Sequence, residues 1–86
     1  MDNTNYYNGL ILDPGEEKPD MGSIECIERV GGQVSFQALS VDEDKVRNLK
    51  HKSLGPGTNC IFLDTGDYAR YHAQTQTWYR VGEGVF

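Results

Sequence analysis

The segment 59–81, NCIFLDTGDYARYHAQTQTWYRV, decides the fold of this chain of 86 residues. Residues 59–63, 68–71 and 76–81 each have the length of one strand, and the last of them is rich in the β-branched and aromatic side chains that suit a pleated surface. An Asp-Thr-Gly-Asp sequence separates the first two pieces, and Ala-Gln-Thr separates the last two. Because these sequences favour turns, the segment predicts three consecutive antiparallel strands.

The region before this segment predicts a hairpin. Residues 23–30 and 33–39 are two further strand candidates, and the two glycines between them can adopt the positive φ of a tight type I′ turn. The second strand alternates strictly, with Val34, Phe36 and Ala38 on one face and polar residues on the other. This alternation predicts a half-buried antiparallel strand.

Residues 40–58 interrupt the strand pattern and predict a short helix. Ser40 followed by Glu43 has the form of a capping box, and Val46 and Leu49 are spaced for one apolar stripe. We therefore expect a helix over about 42–50, ended by the Gly-Pro-Gly sequence that precedes the next strand.

Together these elements predict a mainly β fold, with a small antiparallel sheet or sandwich of about five strands, one short helix and an extended N-terminal arm. We assign residues 1–21 to the arm, 22–82 to a small β domain and 83–86 to a C-terminal tail. The arm contains a strong Asp-Pro-Gly turn signal at 13–15 and four apolar or aromatic anchors. These anchors are Tyr6, Tyr7, Leu10 and Ile11. Two alternatives stay open: the arm lies back on its own domain, or it binds a neighbouring subunit.

Composition excludes several classes of function. A net charge of −5 argues against a nucleic-acid binder, which needs a basic face. The N-terminus lacks the basic start and apolar run of a signal peptide, and no stretch approaches the roughly 20 apolar residues of a membrane span. Without export signals, Cys26 and Cys60 are expected to be reduced thiols rather than a disulfide. No ligand spacing predicts a metal site, and we expect no cofactor.

The sequence Leu63-Asp64-Thr65-Gly66 matches the string that opens the active site of aspartic proteases. In those enzymes two such aspartates share a proton. Here Asp67 adds a charge beside the motif, and only twenty residues follow Gly66. We therefore favour a hairpin turn, with a protease-like half-site at Asp64 as a remote alternative, and predict no catalytic residues.

Four aromatic residues lie on two adjacent strands: Tyr68, Tyr71, Trp78 and Tyr79. Strand alternation places Trp78 and Tyr79 on opposite faces, so the four cannot all be buried. One face is expected to cover the core with cross-strand aromatic pairs, and the other to form an exposed platform. Such a platform suits a subunit interface better than a sugar.

The residues 36–42, the Leu-Gly-Pro-Gly-Thr linker and the segment 60–79 resemble small structural proteins of tailed bacteriophages and prophages. Proteins of this group carry a Gly-Ser/Thr-x-apolar strand, an Asp-Thr-Gly turn, a Tyr-x-Tyr or Tyr-x-Phe strand and a closing Thr-x-Thr-Trp. The resemblance covers roughly residues 22–81, and Ala69-Arg70 between the tyrosines departs from it.

The resemblance implies a non-enzymatic virion protein that decorates or reinforces a head or tail assembly. Its partners would be capsid, tail or fibre proteins and further copies of itself, with no nucleic acid and no membrane. Its location would be the virion, after synthesis in the bacterial cytoplasm. The alternative is a carbohydrate- or host-receptor-binding module of a fibre. We predict that contacts come from Tyr6, Tyr7, Leu10, Ile11, Tyr68, Tyr71, Trp78 and Tyr79.

Overall fold

A computed structural model describes residues 5–81 and 84–85 of the chain, and the side chains of residues 6–81. Its strands are β1 (Asn5–Tyr7), β2 (Leu10–Leu12), β3 (Glu25–Val30), β4 (Gln33–Ala38), β5 (Asn59–Phe62), β6 (Tyr68–His72), β7 (Thr77–Arg80) and β8 (Gly84–Val85). A 3-10 turn (Ser40–Asp42) leads into the helix α1 (Glu43–Arg47). The mainly β fold with one short helix is confirmed.

The main sheet contains six strands in the order β3-β4-β5-β6-β7-β8, and β1 pairs with β2 separately. The expected mainly antiparallel arrangement holds between neighbouring strands of this sheet except β4 and β5, which are parallel. Parallel neighbours need a crossover of a dozen or more residues. Residues 39–58 supply this crossover and contain α1.

The predicted hairpin between β3 and β4 is confirmed. Val30 pairs with Gln33, so the loop consists of two glycines; Gly31 has a φ of 61° but Gly32 does not have a positive φ, so the predicted type I′ turn is wrong. A bulge between Cys26 and Glu28 shifts the register of β3. This shift decides which β3 side chains lie on each face of the sheet.

The N-terminal arm is not extended, because residues 5–12 form a hairpin that lies back on the domain. Asn8 and Gly9 have φ values of 45° and 91°, which are typical of a type I′ turn. Leu10 and Leu12 are buried in the common core. The structure therefore shows the first of the two alternatives for the arm over its described part. Residues 1–4 lie outside the described residues.

The described part of the predicted C-terminal tail is a strand, since Gly84 and Val85 pair with Arg80 and Tyr79. Residues 82, 83 and 86, which the domain assignment also covers, lie outside the described residues.

One face of the main sheet forms the floor of the core. Its side chains are Val34, Phe36, Ala38, Cys60, Phe62, Ala69, Tyr71 and Trp78. The cover comes from β2, the segment 21–24, α1 and the loop after it, through Leu10, Leu12, Met21, Ile24, Val46, Leu49 and Leu54. All of this cover lies on one side, and none of the described residues forms a second layer on the opposite face of the sheet.

Candidate functional site

The uncovered side of the main sheet, which we call the open face, is the most extensive candidate surface. Side chains alternate between the two faces along each strand, so the neighbours of core residues point outward. The open face comprises Glu25, Glu28, Val30, Gln33, Ser35, Gln37, Leu39, Asn59, Ile61, Leu63, Tyr68, Arg70, His72, Thr77, Tyr79 and Val81. All of these side chains are exposed or half-buried.

Strand register arranges the open face in transverse rows. In one row Glu28 pairs with Ser35, Ser35 with Asn59, and Asn59 with Arg70. Arg70 in turn pairs with Tyr79 on β7. The row therefore crosses five strands, with an acid at one end and a base near the other.

A second row is apolar over half of its length. Gln37 pairs with Ile61 and Ile61 with Tyr68, and the Val81 N–H donates to the Tyr68 carbonyl (2.9 Å). The Leu63 N–H donates to the Ala38 carbonyl (2.9 Å), which extends the parallel ladder past the end of β5. We call Leu39, Ile61, Leu63, Tyr68 and Val81 the apolar strip.

Aromatic and basic side chains define a groove of about 550 Å³ beside this strip. Arg70, His72 and Tyr79 line it together with the Pro56–Gly57 loop. The Arg70 guanidinium lies 6.0 Å from the Tyr68 ring centre, and the His72 and Tyr79 rings meet edge to face at 6.4 Å. No carboxylate lines the groove.

The predicted division of the aromatic residues between two faces is confirmed. Tyr71 and Trp78 form a buried cross-strand pair with ring centroids 5.1 Å apart, and the Trp78 Nε1–H donates to the Leu49 carbonyl (2.8 Å). Tyr68 and Tyr79 lie on the open face.

Three of the predicted contact residues belong to the core instead. Leu10, Tyr71 and Trp78 are at most 3 % exposed, because they pack beneath the hairpin and α1. Burial leaves them no surface to offer a partner. Tyr6 and Ile11 are exposed on the N-terminal hairpin, and Tyr7 is half-buried there.

The open face also contains residues that the predicted contact set omits: Leu39, Ile61, Leu63, Arg70 and Val81. The signal for them was their position between core residues in the alternating strands. Aromatic content alone did not reveal it.

The Asp-Thr-Gly sequence forms the turn between β5 and β6, as the sequence predicts. The Phe62 N–H donates to the Asp67 carbonyl (2.8 Å), and Gly66 has a φ of 79°. Asp64 accepts the Ser40 N–H (2.9 Å) and the Ser40 hydroxyl (2.6 Å), and these bonds hold the pKa of its carboxyl below the usual value. The predicted capping box is wrong, because Ser40 binds Asp64 and no side-chain cap bond forms at the start of the 3-10 turn or of α1.

Sequence reasoning missed a polar cluster that ties the N-terminal hairpin to the crossover. His51 is buried, and its Nε2 lies 2.7 Å from Glu16 Oε2. The Ser53 N–H donates to His51 Nδ1 (3.0 Å), so Nε2 carries the proton toward Glu16. The Ser53 hydroxyl, 2.7 Å from Nδ1, also accepts the Ile11 N–H. The Ser53 hydroxyl thus bonds to β2 and the His51 ring contacts Glu16, so the cluster is a structural clamp between the N-terminal region and the crossover.

The two cysteines are free, as predicted. Cys26 is half-buried, whereas desolvation raises the pKa of the buried Cys60 thiol to about 12. Within the described ranges 5–81 and 84–85, no cluster of three or more His, Cys, Asp or Glu residues could hold a metal ion. Over the same ranges no helix has the length and apolar character to cross a membrane.

The chain matches none of the protein-family models, curated proteins or solved structures with which it was compared. The open face, the groove and the polar clamp therefore provide the basis for a functional proposal.

Proposed function

We propose that the chain is a non-enzymatic structural subunit of a phage virion that docks onto a neighbouring subunit through the open face. The observation that carries this proposal is the apolar strip. The chain covers one side of its sheet with its own hairpin and helix but leaves these side chains in water on the other.

Physical chemistry favours a protein as the occupant of this surface. Contiguous exposed apolar residues bordered by polar ones are typical of protein contact sites. The strip is bordered by Gln37, Asn59 and Arg70, which matches an apolar centre with a hydrogen-bonding rim. Burying the strip would add to the modest stability of a domain this small.

The virion setting is supported by the sequence resemblance described above. The same proposal covers a head or a tail position, because both locations offer large protein surfaces to a small subunit. The net charge of −5 would keep free copies soluble before they are incorporated.

A second candidate function, carbohydrate binding, is supported by the groove at Tyr79. An exposed tyrosine beside Arg70 and Gln74 offers a stacking surface and hydrogen-bond donors. Trp78 does not offer a carbohydrate-binding surface, because it is buried. Glycan binding that is lost in Tyr79→Ala, while Tyr6→Ala retains it, would favour this candidate.

The docking proposal is tested with two isoleucines that match in type and exposure. Ile61 on the open face is 38 % exposed, and Ile11 on the N-terminal hairpin is 37 % exposed. Each is changed to serine in its native genetic context, and particles are purified and quantified for the chain by mass spectrometry.

We expect Ile61→Ser to be depleted from particles at least tenfold and Ile11→Ser to be incorporated like the wild type. Loss of Ile11→Ser alone would assign docking to the hairpin instead. Absence of the wild-type chain from particles would overturn the virion proposal.

A further inference from the structure

The charges of the open face are separated by sign. Glu25 and Glu28 lie on β3, at one side, and Arg70 and His72 lie on β6. Between them β4 and β5 contribute Ser35, Gln37 and Asn59 to this face, all of them uncharged. The face therefore has an acidic side and a basic side.

Arg70 and Glu28 have no charged partner among the residues that the structure describes. Among the ion pairs of the described residues, none includes either side chain. The other arginines are engaged: Arg29 donates to two carbonyls, and Arg47 and Arg80 each pair with a carboxylate. Three strand spacings of roughly 4.8 Å separate Arg70 from Glu28, which is too far for a direct pair.

A two-fold rotation that relates two copies of the chain would give Arg70 and Glu28 each a partner of opposite charge. Because Glu28 and Arg70 belong to the same transverse row, rotation about an axis parallel to the strands, midway between β4 and β5, exchanges their positions. Such an interface is self-complementary, since each contact occurs twice. The same rotation exchanges the positions of Leu39 and Leu63, and it sets Ile61 opposite Gln37 and Tyr68 opposite Glu25 of the other copy.

We propose that the open face binds a second copy of this chain, with Arg70 of each copy paired to Glu28 of the other. Packed sheets lie about 10 Å apart, a gap that an arginine and a glutamate can bridge together. This inference rests on the proposed function, because it assigns the occupant of the same open face.

The size of the face sets the expected affinity. The rotation superposes four strands, β3 to β6, of about six residues each, which cover about 400 Å² per copy, or about 800 Å² in all, the small area of a weak interface. We therefore expect a weak dimer that forms in the micromolar to millimolar range of concentration.

Charge reversal tests the pairing. Solution mass is measured by sedimentation over that range for the wild type, Arg70→Glu, Glu28→Arg, the double variant and an equal mixture of the two single variants. Glu17→Arg, on an exposed residue before β3, is the matched control for the change of charge. Circular dichroism checks folding, and Arg70→Gln replaces Arg70→Glu if the latter does not fold.

We expect the wild type and the control to dimerise and each single variant to lose at least tenfold in affinity. The equal mixture should form a heterodimer, because one copy then carries two bases and the other two acids. The double variant should recover the wild-type dimer. A wild type that stays monomeric throughout, or single variants that dimerise like it, would overturn the pairing.

The sedimentation and particle-incorporation experiments together distinguish failure of the pairing from failure of docking through the open face. A monomeric wild type combined with depletion of Ile61→Ser from particles would mean that the open face binds a different protein. A dimer with the predicted charge behaviour, combined with normal incorporation of Ile61→Ser, would leave the pairing intact and overturn docking through the face.

Discussion

Ser40 donates its backbone N–H and its hydroxyl to the same carboxylate, that of Asp64, at 2.9 and 2.6 Å. The contact joins the β5–β6 turn to the start of the crossover, 24 residues earlier in the chain. An aspartate that looks catalytic by its sequence context thus has a structural role, and its pKa is held low by the bonds it accepts.

Removing this carboxylate should destabilise the fold at neutral pH. We expect Asp64→Ala to lower the melting temperature by roughly 5 °C, because two orphan donors at the start of the 3-10 turn lose their acceptor. Asp67→Asn is the matched control, since the carboxylate of Asp67 makes no such contact. Equal melting temperatures for the wild type and Asp64→Ala would show that the contact contributes nothing.

The low pKa of Asp64 also gives stability a defined pH dependence. The Asp64 carboxylate binds a proton more readily in the unfolded state than in the folded state. Its contribution to the free energy of unfolding is therefore complete at pH values above its unfolded-state pKa, and it is lost as the pH falls through its folded-state pKa. Asp42 and Glu16 have lowered pKa values for similar reasons. In urea titrations at a series of pH values, the free energy of unfolding should fall less steeply with decreasing pH for Asp64→Asn than for the wild type. A parallel loss in both would contradict the assignment.

Trp78 should contribute far more to the free energy of unfolding than Tyr79, the next residue in the sequence. Trp78→Phe removes buried volume and leaves the Leu49 carbonyl without its donor, which costs about 2–3 kcal/mol. Tyr79→Phe, on the open face, should change the free energy of unfolding by less than about 0.5 kcal/mol. Chemical denaturation of the two variants measures the difference. Similar losses would mean that the sheet faces are assigned incorrectly.

Asn8 should stabilise the domain through its side chain as well as its turn conformation. Its amide accepts the Cys26 N–H (2.7 Å) and donates to the Ile24 carbonyl (2.8 Å), which places it against the edge of β3. Asn8→Gly keeps the positive φ but removes both bonds, so we expect a loss of about 1–2 kcal/mol. Asn8→Asp keeps the acceptor but sets a carboxylate oxygen, in place of the amide donor, against the Ile24 carbonyl, so it should lose at least as much. Proteolysis of the N-terminal hairpin provides an independent measurement.

The two thiols should react at very different rates. Cys26 is half-buried, whereas Cys60 is buried and its thiol pKa is raised to about 12, so little thiolate forms near pH 8. A thiol reagent should label Cys26 first and Cys60 only after denaturant is added. Simultaneous labelling of both in the folded chain would contradict the burial of β5.

Local sequence signals predicted most of the strands, because alternation and glycine turns act over a few residues. Asn8-Gly9 was an equally strong turn signal between Tyr7 and Leu10, yet the arm was expected to be extended. The parallel pairing of β4 and β5 could not be predicted locally, since it depends on how the crossover packs across the sheet.

The candidate site was predictable only in part. Strand alternation separated Trp78 from Tyr79 correctly, but it could not show which face the helix and hairpin would cover. Arg70 was recognised only as a departure from a pattern. Its importance depends on three strand registers that place it in one row with Glu28.

The central claim is that assembly buries the open face. Hydroxyl-radical footprinting of tyrosines tests it directly, comparing the assembled state purified from its source with the dilute free chain. Tyr68 and Tyr79 report on the open face, and Tyr6 reports on the N-terminal hairpin. We predict that assembly lowers the modification rates of Tyr68 and Tyr79 several-fold and leaves that of Tyr6 unchanged. Protection of Tyr6 with unchanged rates at Tyr68 and Tyr79 would contradict the claim.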